Sequence, residues 1–148
     1  MIPRHPSTMQ QLEAAIRIAL LNLDIPIQAV YLHGSWGTEF ERADSDIDLA
    51  LLCQTPIGLN QQIRIEQALR LHVAAGVEID LADLRHADSV FAAHVVTEGR
   101  RLLVADRPAT EQFEMLALAK YARLNEERAG ILSDIKARGT IYKYGTHA

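Results

Sequence analysis

The chain has 148 residues and one cysteine; 49% of the residues are hydrophobic, 23% are charged, and the formal net charge is −4. This size and composition predict one domain over residues 1–148 that needs no disulfide or structural metal. The acidic charge disfavours binding to a long nucleic acid, because phosphate neutralisation requires basic residues. Since Cys53 has no partner in the chain and no apolar stretch approaches about 18 residues, we expect a cytoplasmic protein without membrane contact.

The first half of the chain predicts a helix, two strands and a second helix. Ser7 or Thr8 can cap a helix that Pro26 ends, and 27–33 reads as a strand rich in β-branched and aromatic residues. A polar stretch then separates it from a second strand, 46–53. Asn60 is predicted to cap the next helix, which Gly76 ends; its inward positions include Ile63, Ala68 and Leu71.

The second half alternates strands and helices. We predict a strand over 77–82, a helix that begins at Asp88 and ends at Gly99, a short strand over 101–105 and a long helix over 110–138. Residues 139–148 are expected to form a mobile tail. The order predicts an α/β (α+β) domain with a small mixed sheet flanked by helices. One face of the long helix carries apolar residues at Phe113, Leu116, Ala117, Tyr121, Leu124, Ile131 and Ile135.

The chemistry-bearing pattern begins with two aspartates on the second predicted strand. Asp46 and Asp48 are two residues apart, so their side chains share one face of the strand, while Ile47 and Leu49 point to the other. Two adjacent carboxylates repel each other unless a cation lies between them. Mg²⁺ prefers carboxylate oxygens and completes its shell with water and substrate phosphates. The pair is therefore a candidate holder of Mg²⁺ and a nucleoside triphosphate.

A third aspartate, Asp80, lies in the middle of the next predicted strand, Val77-Glu78-Ile79-Asp80-Leu81-Ala82. If this strand is a neighbour of the second, three carboxylates converge. Three can hold two metal ions about 3.5–4 Å apart, the arrangement that clamps the attacking and leaving oxygens in phosphoryl transfer. Gly34 and Ser35, directly after the first strand, suit a phosphate: glycine permits close backbone approach, and serine adds a hydroxyl and an N–H.

The joint pattern of a strand, Gly34-Ser35, ten residues, Asp46-X-Asp48 and a later Asp80 resembles the DNA polymerase β-like nucleotidyltransferase superfamily. Within it, the short single domain is similar to the minimal nucleotidyltransferases, the MNT proteins. The resemblance implies that Asp46, Asp48 and Asp80 bind two Mg²⁺ ions and are catalytic, with Asp80 helping to activate the acceptor. It also implies that Gly34 and Ser35 contact the triphosphate of ATP.

The same resemblance implies a partner. MNT proteins pair with a HEPN-domain ribonuclease in toxin–antitoxin systems and transfer AMP from ATP onto a toxin tyrosine, so we expect a HEPN toxin as acceptor and a hetero-oligomer. The chain departs from the family after Gly34-Ser35, where many relatives carry arginine and this chain has Trp36-Gly37-Thr38-Glu39. The nearest cation, Arg42, is the candidate replacement at the triphosphate.

Two other functions fit the same residues. The first is nucleotidyl transfer to a small molecule such as an aminoglycoside. The second is an antitoxin that blocks the ribonuclease by contact alone, with a vestigial metal site. Surplus apolar surface on the long last helix is, in either toxin-directed hypothesis, a candidate contact for a partner helix or a second copy.

Overall fold

The computed structural model describes residues 9–34, 47–73 and 78–137. Its elements follow the predicted order: α1 (Met9–Leu21), β1 (Ile27–His33), β2 (Ile47–Cys53), α2 (Leu59–His72), β3 (Ile79–Asp83), α3 (Ser89–Glu98), β4 (Arg100–Val104) and α4 (Arg107–Ala137). The expectations for Ser7, Thr8, Gly76 and the tail 139–148 fall outside these residues. No helix in the described ranges is both long and apolar enough to cross a membrane.

The strands form a four-stranded mixed sheet in the order β3-β2-β1-β4. β1 is antiparallel to both β2 and β4, whereas β2 is parallel to β3. A parallel pair needs a crossover connection, and α2 lies between β2 and β3 in the chain. The predicted α/β class, with a small mixed sheet and a long C-terminal helix, is confirmed.

Helices cover both faces of the sheet. Because side chains alternate along each strand, each strand contributes buried residues to both layers. One face packs against α1 and α2, and the buried side chains of this layer include Leu12, Ile16, Val30, Leu49, Leu51, Ile65 and Leu69. The other face packs against α3 and α4 through Ala29, Tyr31, Ala50, Leu52, Leu84 and Val95. The central strands are thus buried on both sides, and apart from the Tyr31 hydroxyl the polar side chains there lie near the strand ends.

The predicted ends of α3 are confirmed. The Asp88 carboxylate accepts a hydrogen bond from the backbone N–H of Phe91 at 2.7 Å, which satisfies one of the free amides at the helix start. Gly99 forms the C-terminal cap, and its N–H donates to the carbonyl of Val95 at 2.8 Å. These two caps fix the length of the helix that covers the site described below.

The predicted start of α2 is wrong, and of the described positions predicted to point inward only Ala68 is buried. Gly58, not Asn60, is the N-terminal cap residue, and the Gln61 side chain accepts from the Gly58 N–H at 3.0 Å. Ile63 and Leu71, expected to point inward, are 44% and 75% exposed. The buried positions are Ile65, Ala68 and Leu69. The crossover geometry presents this stripe to the sheet, and the second apolar stripe is left in solvent.

The long helix α4 contacts the sheet only over its first half. Thr110 and Ala117 are buried, while Phe113, Tyr121 and Leu124 are partly buried. Beyond Leu124 every described residue of α4 is exposed, including Ile131 and Ile135. Leu116, expected on the covered face, is 52% exposed. The predicted apolar face therefore divides into a packed inner half and a free outer half.

A polar network fastens α4 to the sheet. The Tyr31 hydroxyl donates to the Glu114 carboxylate at 2.6 Å, and Arg101 grips the same carboxylate with Nε at 2.9 Å and with Nη2. Burial and the neighbouring carboxylate raise the pKa of Tyr31 far above its usual value. Burial alone would raise the pKa of Glu114, but hydrogen bonds from Arg101 and Tyr31 outweigh it and hold that pKa below 4.5.

Replacing Glu114 by glutamine is expected to lower the free energy of unfolding at pH 7 by about 1–3 kcal/mol, because charge-assisted hydrogen bonds become neutral ones. A depressed carboxylate pKa adds stability above its unfolded value, and that stability is lost as the pH falls through the folded value. The difference in the free energy of unfolding between wild type and E114Q should therefore be largest at pH 7 and should decrease below about pH 4.5. Urea titrations at pH 7 and in acid measure this difference. An equal difference at the two pH values would contradict the assignment.

The interpretation of Cys53 as a buried small hydrophobe is confirmed. The residue ends β2 within the α1–α2 layer and is 2% exposed. Burial, with a contribution from Asp83, raises the pKa of the thiol to about 11. A thiol that is buried and protonated at neutral pH is a poor nucleophile.

Candidate active site

Three polar side chains, His33, Asp48 and Asp80, form a row across the sheet, which is called here the carboxylate row. His33, the last residue of β1, is the register partner of Asp48 on β2. Asp48 is in turn the partner of Asp80 on β3. Because β1 runs against β2 and β2 runs with β3, the row lies at the carboxyl end of β1 and near the amino ends of the other two strands. The structure thus brings together two of the three predicted carboxylates.

Strand alternation places the row on the face that α3 and α4 cover. Ile47, Leu49 and Leu51 are fully buried in the opposite layer, as the spacing predicted. Asp48 alternates with them and therefore shares the face of Ala50 and Leu52. Exposure increases along the row: Asp48 is partly buried, and Asp80 is exposed. Of the two described carboxylates in the row, the one at the β3 end is accordingly the more accessible to a second molecule.

The exposure of Asp80 corrects one step of the sequence argument. An acid in the middle of a strand was expected to be buried and to need a cation for that reason. Asp80 is exposed, so burial does not require a partner there. What makes Asp80 a candidate ligand is its place directly across from Asp48.

Gly34 packs its backbone against Asp48. Its φ angle is +87°, the only positive φ among the described residues, and glycine adopts such angles without steric cost. A Cβ built on Gly34 would lie 2.1 Å from Oδ2 of Asp48 and 3.1 Å from its Cγ. The turn after β1 therefore requires glycine twice, once for its backbone angle and once for the space that the Asp48 carboxylate occupies.

His33 lies between the carboxylates and α3. Its ring meets Phe91 edge-on, with centroids 5.3 Å apart and planes at 87°. Burial lowers the pKa of His33, and His94 on α3 lowers it further, whereas Asp48 and Asp80 act in the opposite direction. The outcome is a pKa below the usual value of 6.5, so the imidazole is neutral at physiological pH.

Asp83, a second acid on β3, serves the fold instead. Its carboxylate accepts from the backbone N–H of Ile57 at 2.8 Å and of Arg85 at 3.0 Å. Arg85 then donates to the carbonyl of Cys53 at 2.8 Å and to the Gln28 side chain at 2.9 Å. Asp83 is three residues from Asp80, so the two side chains lie on opposite faces of the strand. This carboxylate is already occupied by backbone donors.

A groove of about 190 Å³ opens beside Asp80 at the free edge of β3. Its lining combines three acids with one base: Glu66 and Arg70 of α2, and Glu78, Ile79 and Asp80. β3 is an outer strand of the sheet, so one side of it is not paired with another described strand. The carboxylate row is therefore open to a second molecule at its β3 end.

Three predicted site residues, Ser35, Arg42 and Asp46, lie outside the described residues. Within the described ranges no group of three or more His, Cys, Asp or Glu side chains is arranged to hold a metal ion. The two described members of the predicted metal site, Asp48 and Asp80, suit a hard divalent cation, because both are carboxylates, they are adjacent across one strand pair, and they share a face. Their chemistry suits Mg²⁺ better than a soft metal, which would favour thiolate or several imidazoles.

The amino-acid sequence around this site matches a known family. The family described as "Polymerase beta, Nucleotidyltransferase" matches residues 17–108, a segment that contains the whole carboxylate row. The chain belongs to this nucleotidyltransferase family. Protein adenylyltransferase MntA of Shewanella oneidensis is 36% identical over 130 residues, which cover 87% of this chain and 91% of that protein.

Solved structures of toxin–antitoxin complexes share the nucleotidyltransferase fold. One complex, with AMP-PNP, contains a chain that matches with a TM-score of 0.67 and 30% identity, over 84% of this chain and 98% of that one. Another contains a tri-AMPylated Shewanella oneidensis HEPN toxin with its MNT antitoxin; the TM-score is 0.65 and the identity 30%, over 87% of this chain and 99% of that one. The predicted resemblance to MNT proteins is confirmed.

Sequence reasoning missed the contribution of α3 to this nucleotidyltransferase site. The sequence predicts only that Phe91 and His94 lie in the helix between Asp88 and Gly99, yet Phe91 contacts His33 and His94 acts on the pKa of His33. Their spacing of three residues places both on one helix face, which was visible in the sequence. Which strand end that face covers depends on the order of the strands in the sheet, and this order was not visible in the sequence.

Proposed function

We propose that this chain is a Mg²⁺-dependent protein adenylyltransferase that transfers AMP from ATP onto a tyrosine of a HEPN toxin and so neutralises it. The observation that carries the proposal is the pairing of Asp48 with Asp80 within the carboxylate row, beside Gly34. The likeness to the adenylyltransferase MntA supports AMP as the transferred group and a HEPN protein as its acceptor. The complex with AMP-PNP supports ATP as the donor.

In the proposed reaction an acceptor oxygen attacks the α-phosphorus of ATP. A new phosphorus–oxygen bond forms, the bond from the α-phosphorus to the bridging oxygen breaks, and pyrophosphate leaves. The bound metal ions, two in number, would neutralise charge on the phosphates. Asp46, Asp48 and Asp80 would hold them, and Asp80, the exposed member of the row, would also accept the proton of the acceptor hydroxyl.

Donor and acceptor are assigned to opposite ends of the row. Gly34 brings backbone close to the Asp48 carboxylate, which suits the triphosphate. Ser35 would add an N–H and a hydroxyl there, and Arg42 would supply the cation that relatives carry nearer to the glycine. The groove beside Asp80 is assigned to the acceptor, because it opens at the free edge of the sheet.

A protein acceptor also agrees with the outer half of α4. This half exposes apolar side chains that the fold does not use: Ile131 is 59%, Leu132 66% and Ile135 45% exposed. Exposed apolar clusters of this kind mark protein contacts. We assign this surface to the hetero-oligomer with the toxin. We assign both the chemistry and the contact to one domain over residues 1–148 that acts in the cytoplasm.

The test is to incubate the purified protein with Mg²⁺, ATP and the HEPN partner and to record intact masses and ribonuclease activity. We expect the partner to gain one or more AMP groups, on tyrosine, as its ribonuclease activity falls. Parallel reactions omit Mg²⁺ or replace ATP by another nucleoside triphosphate. Loss of ribonuclease activity without any mass gain would replace this proposal by neutralisation through contact alone. Transfer to an aminoglycoside but not to the protein would replace it by the small-molecule enzyme.

A further inference from the structure

One nitrogen in the site has no hydrogen-bond partner. Nε2 of His33 is shielded from solvent, and it is the only buried side-chain nitrogen or oxygen in the described part of the chain without a partner. Its environment is well defined: the ring lies edge-on to Phe91, and His33 directly precedes Gly34 and faces Asp48 across the strand pair. An unsatisfied buried polar atom costs free energy, and such an atom in a native fold calls for an explanation.

Packing does not explain the imidazole. The contact with Phe91 is one between two aromatic rings, and a phenylalanine at position 33 would make the same edge-on contact without a polar atom to satisfy. Neither neighbouring acid takes up the nitrogen, although Asp48 and Asp80 are close enough to act electrostatically on the ring. The fold therefore keeps a hydrogen-bonding group at the one strand end where the proposed nucleotide site begins.

We propose that His33 is a nucleotide-binding residue whose Nε2–H donates a hydrogen bond to the polyphosphate of bound ATP. The inference rests on the proposed function, because it requires a triphosphate between Gly34 and the carboxylate row. Polyphosphate oxygens accept hydrogen bonds and do not donate, so they complement an N–H group. An N–H donor at this point adds to the site without competing with the metal ions for the carboxylates. Adjacent Gly34 has no side chain to separate the ring from a bound phosphate.

The experiment compares three proteins for Mg²⁺-dependent binding of AMP-PNP, measured by calorimetry and by the shift in melting temperature. His33→Phe keeps the ring and removes the donor, and His33→Gln keeps an N–H donor without the ring. We expect H33F to bind on the order of tenfold or more weakly, as the loss of one hydrogen bond to a charged group implies. H33Q should stay within about threefold of wild type, and H33F without nucleotide should melt no lower than wild type.

A matched control is His86→Phe, at an exposed histidine in the turn before α3, which should bind like wild type. Equal binding by H33F and wild type would overturn the inference. So would equal losses in H33F and H33Q, which would assign His33 to packing. If H33F does not fold, His33→Met, which also lacks an N–H donor, takes its place. Failure of the wild type itself to bind AMP-PNP would instead overturn the proposed nucleotide site.

Discussion

Replacing Asp48 by asparagine is expected to lower the rate of AMP transfer by about a thousandfold or more. The change is isosteric, so the loss would come from the charge. Asp48 is the central member of the row and the one whose carboxylate is packed against Gly34. A metal ion that stabilises charge in the transition state contributes several kcal/mol, and each 1.36 kcal/mol is about a factor of ten in rate. Single-turnover transfer of labelled AMP to the HEPN partner measures the effect.

The matched control is Asp88→Asn. This change removes the same charge from the same face of the protein, but Asp88 is the N-terminal cap of α3, and asparagine caps helices about as well as aspartate. The control should keep the transfer rate within about twofold, since the cap hydrogen bond to Phe91 survives. Asp80→Asn should act in the same direction as Asp48→Asn. Transfer by D48N within tenfold of wild type would contradict the assignment of this carboxylate to the metals.

Replacing Gly34 by alanine is expected to reduce transfer by about a hundredfold while the protein still folds. The backbone effect is modest, because a non-glycine residue at positive φ costs about 1–2 kcal/mol. The steric effect falls on the site, since the new Cβ would lie 2.1 Å from Oδ2 of Asp48. The carboxylate is the far end of a side chain and can move aside. A displacement of about 1 Å in a reacting geometry costs on the order of a hundredfold in rate.

Gly130→Ala is the control for this substitution. Gly130 lies within α4, and a Cβ there would meet no atom within 4 Å. Alanine in an exposed helix is favoured over glycine by about 1 kcal/mol, so G130A should be slightly more stable. Because Gly130 lies in the half of α4 assigned to the partner contact, transfer is compared at saturating partner, where G130A should be as active as wild type. Thermal melts and transfer rates of the two variants separate the effects. A G34A protein that loses stability but keeps full activity would show that Asp48 need not occupy its present position.

The local features of the fold were predictable where a cap residue or a short residue pattern decides the outcome. β1 begins and ends where the apolar and β-branched run does, and α3 lies between its cap residues Asp88 and Gly99. The alternation along β2 correctly placed Asp48 opposite the buried Leu49. In these cases the deciding interaction is within a few residues along the chain, so the sequence pattern contains it.

The failures in predicting which side chains are buried have a common physical cause, which is packing between distant segments. α2 has two apolar stripes, and only the crossover onto the sheet selects Ile65 and Leu69 over Ile63 and Leu71. Leu116 lies on a helix that extends beyond the sheet, so the predicted apolar face is only partly covered. The approach of Asp80 to Asp48 could be stated only as a condition, since strand order depends on contacts that no local pattern encodes.

The strand directions around the row have a consequence for how the protein gains and loses activity. His33 and Asp48 belong to an antiparallel pair, whereas Asp48 and Asp80 are joined only through the parallel crossover that contains α2. Parallel pairing is slightly less stable per residue than antiparallel pairing, and pairing across a longer connection forms more slowly. A molecule whose β3 has detached would keep His33, Gly34 and Asp48. It would lose Asp80 and the groove that is proposed to receive the acceptor. Gentle denaturation should therefore abolish the proposed AMP transfer before the β1–β2 core unfolds, and a partly unfolded molecule would then leave the proposed toxin partner active.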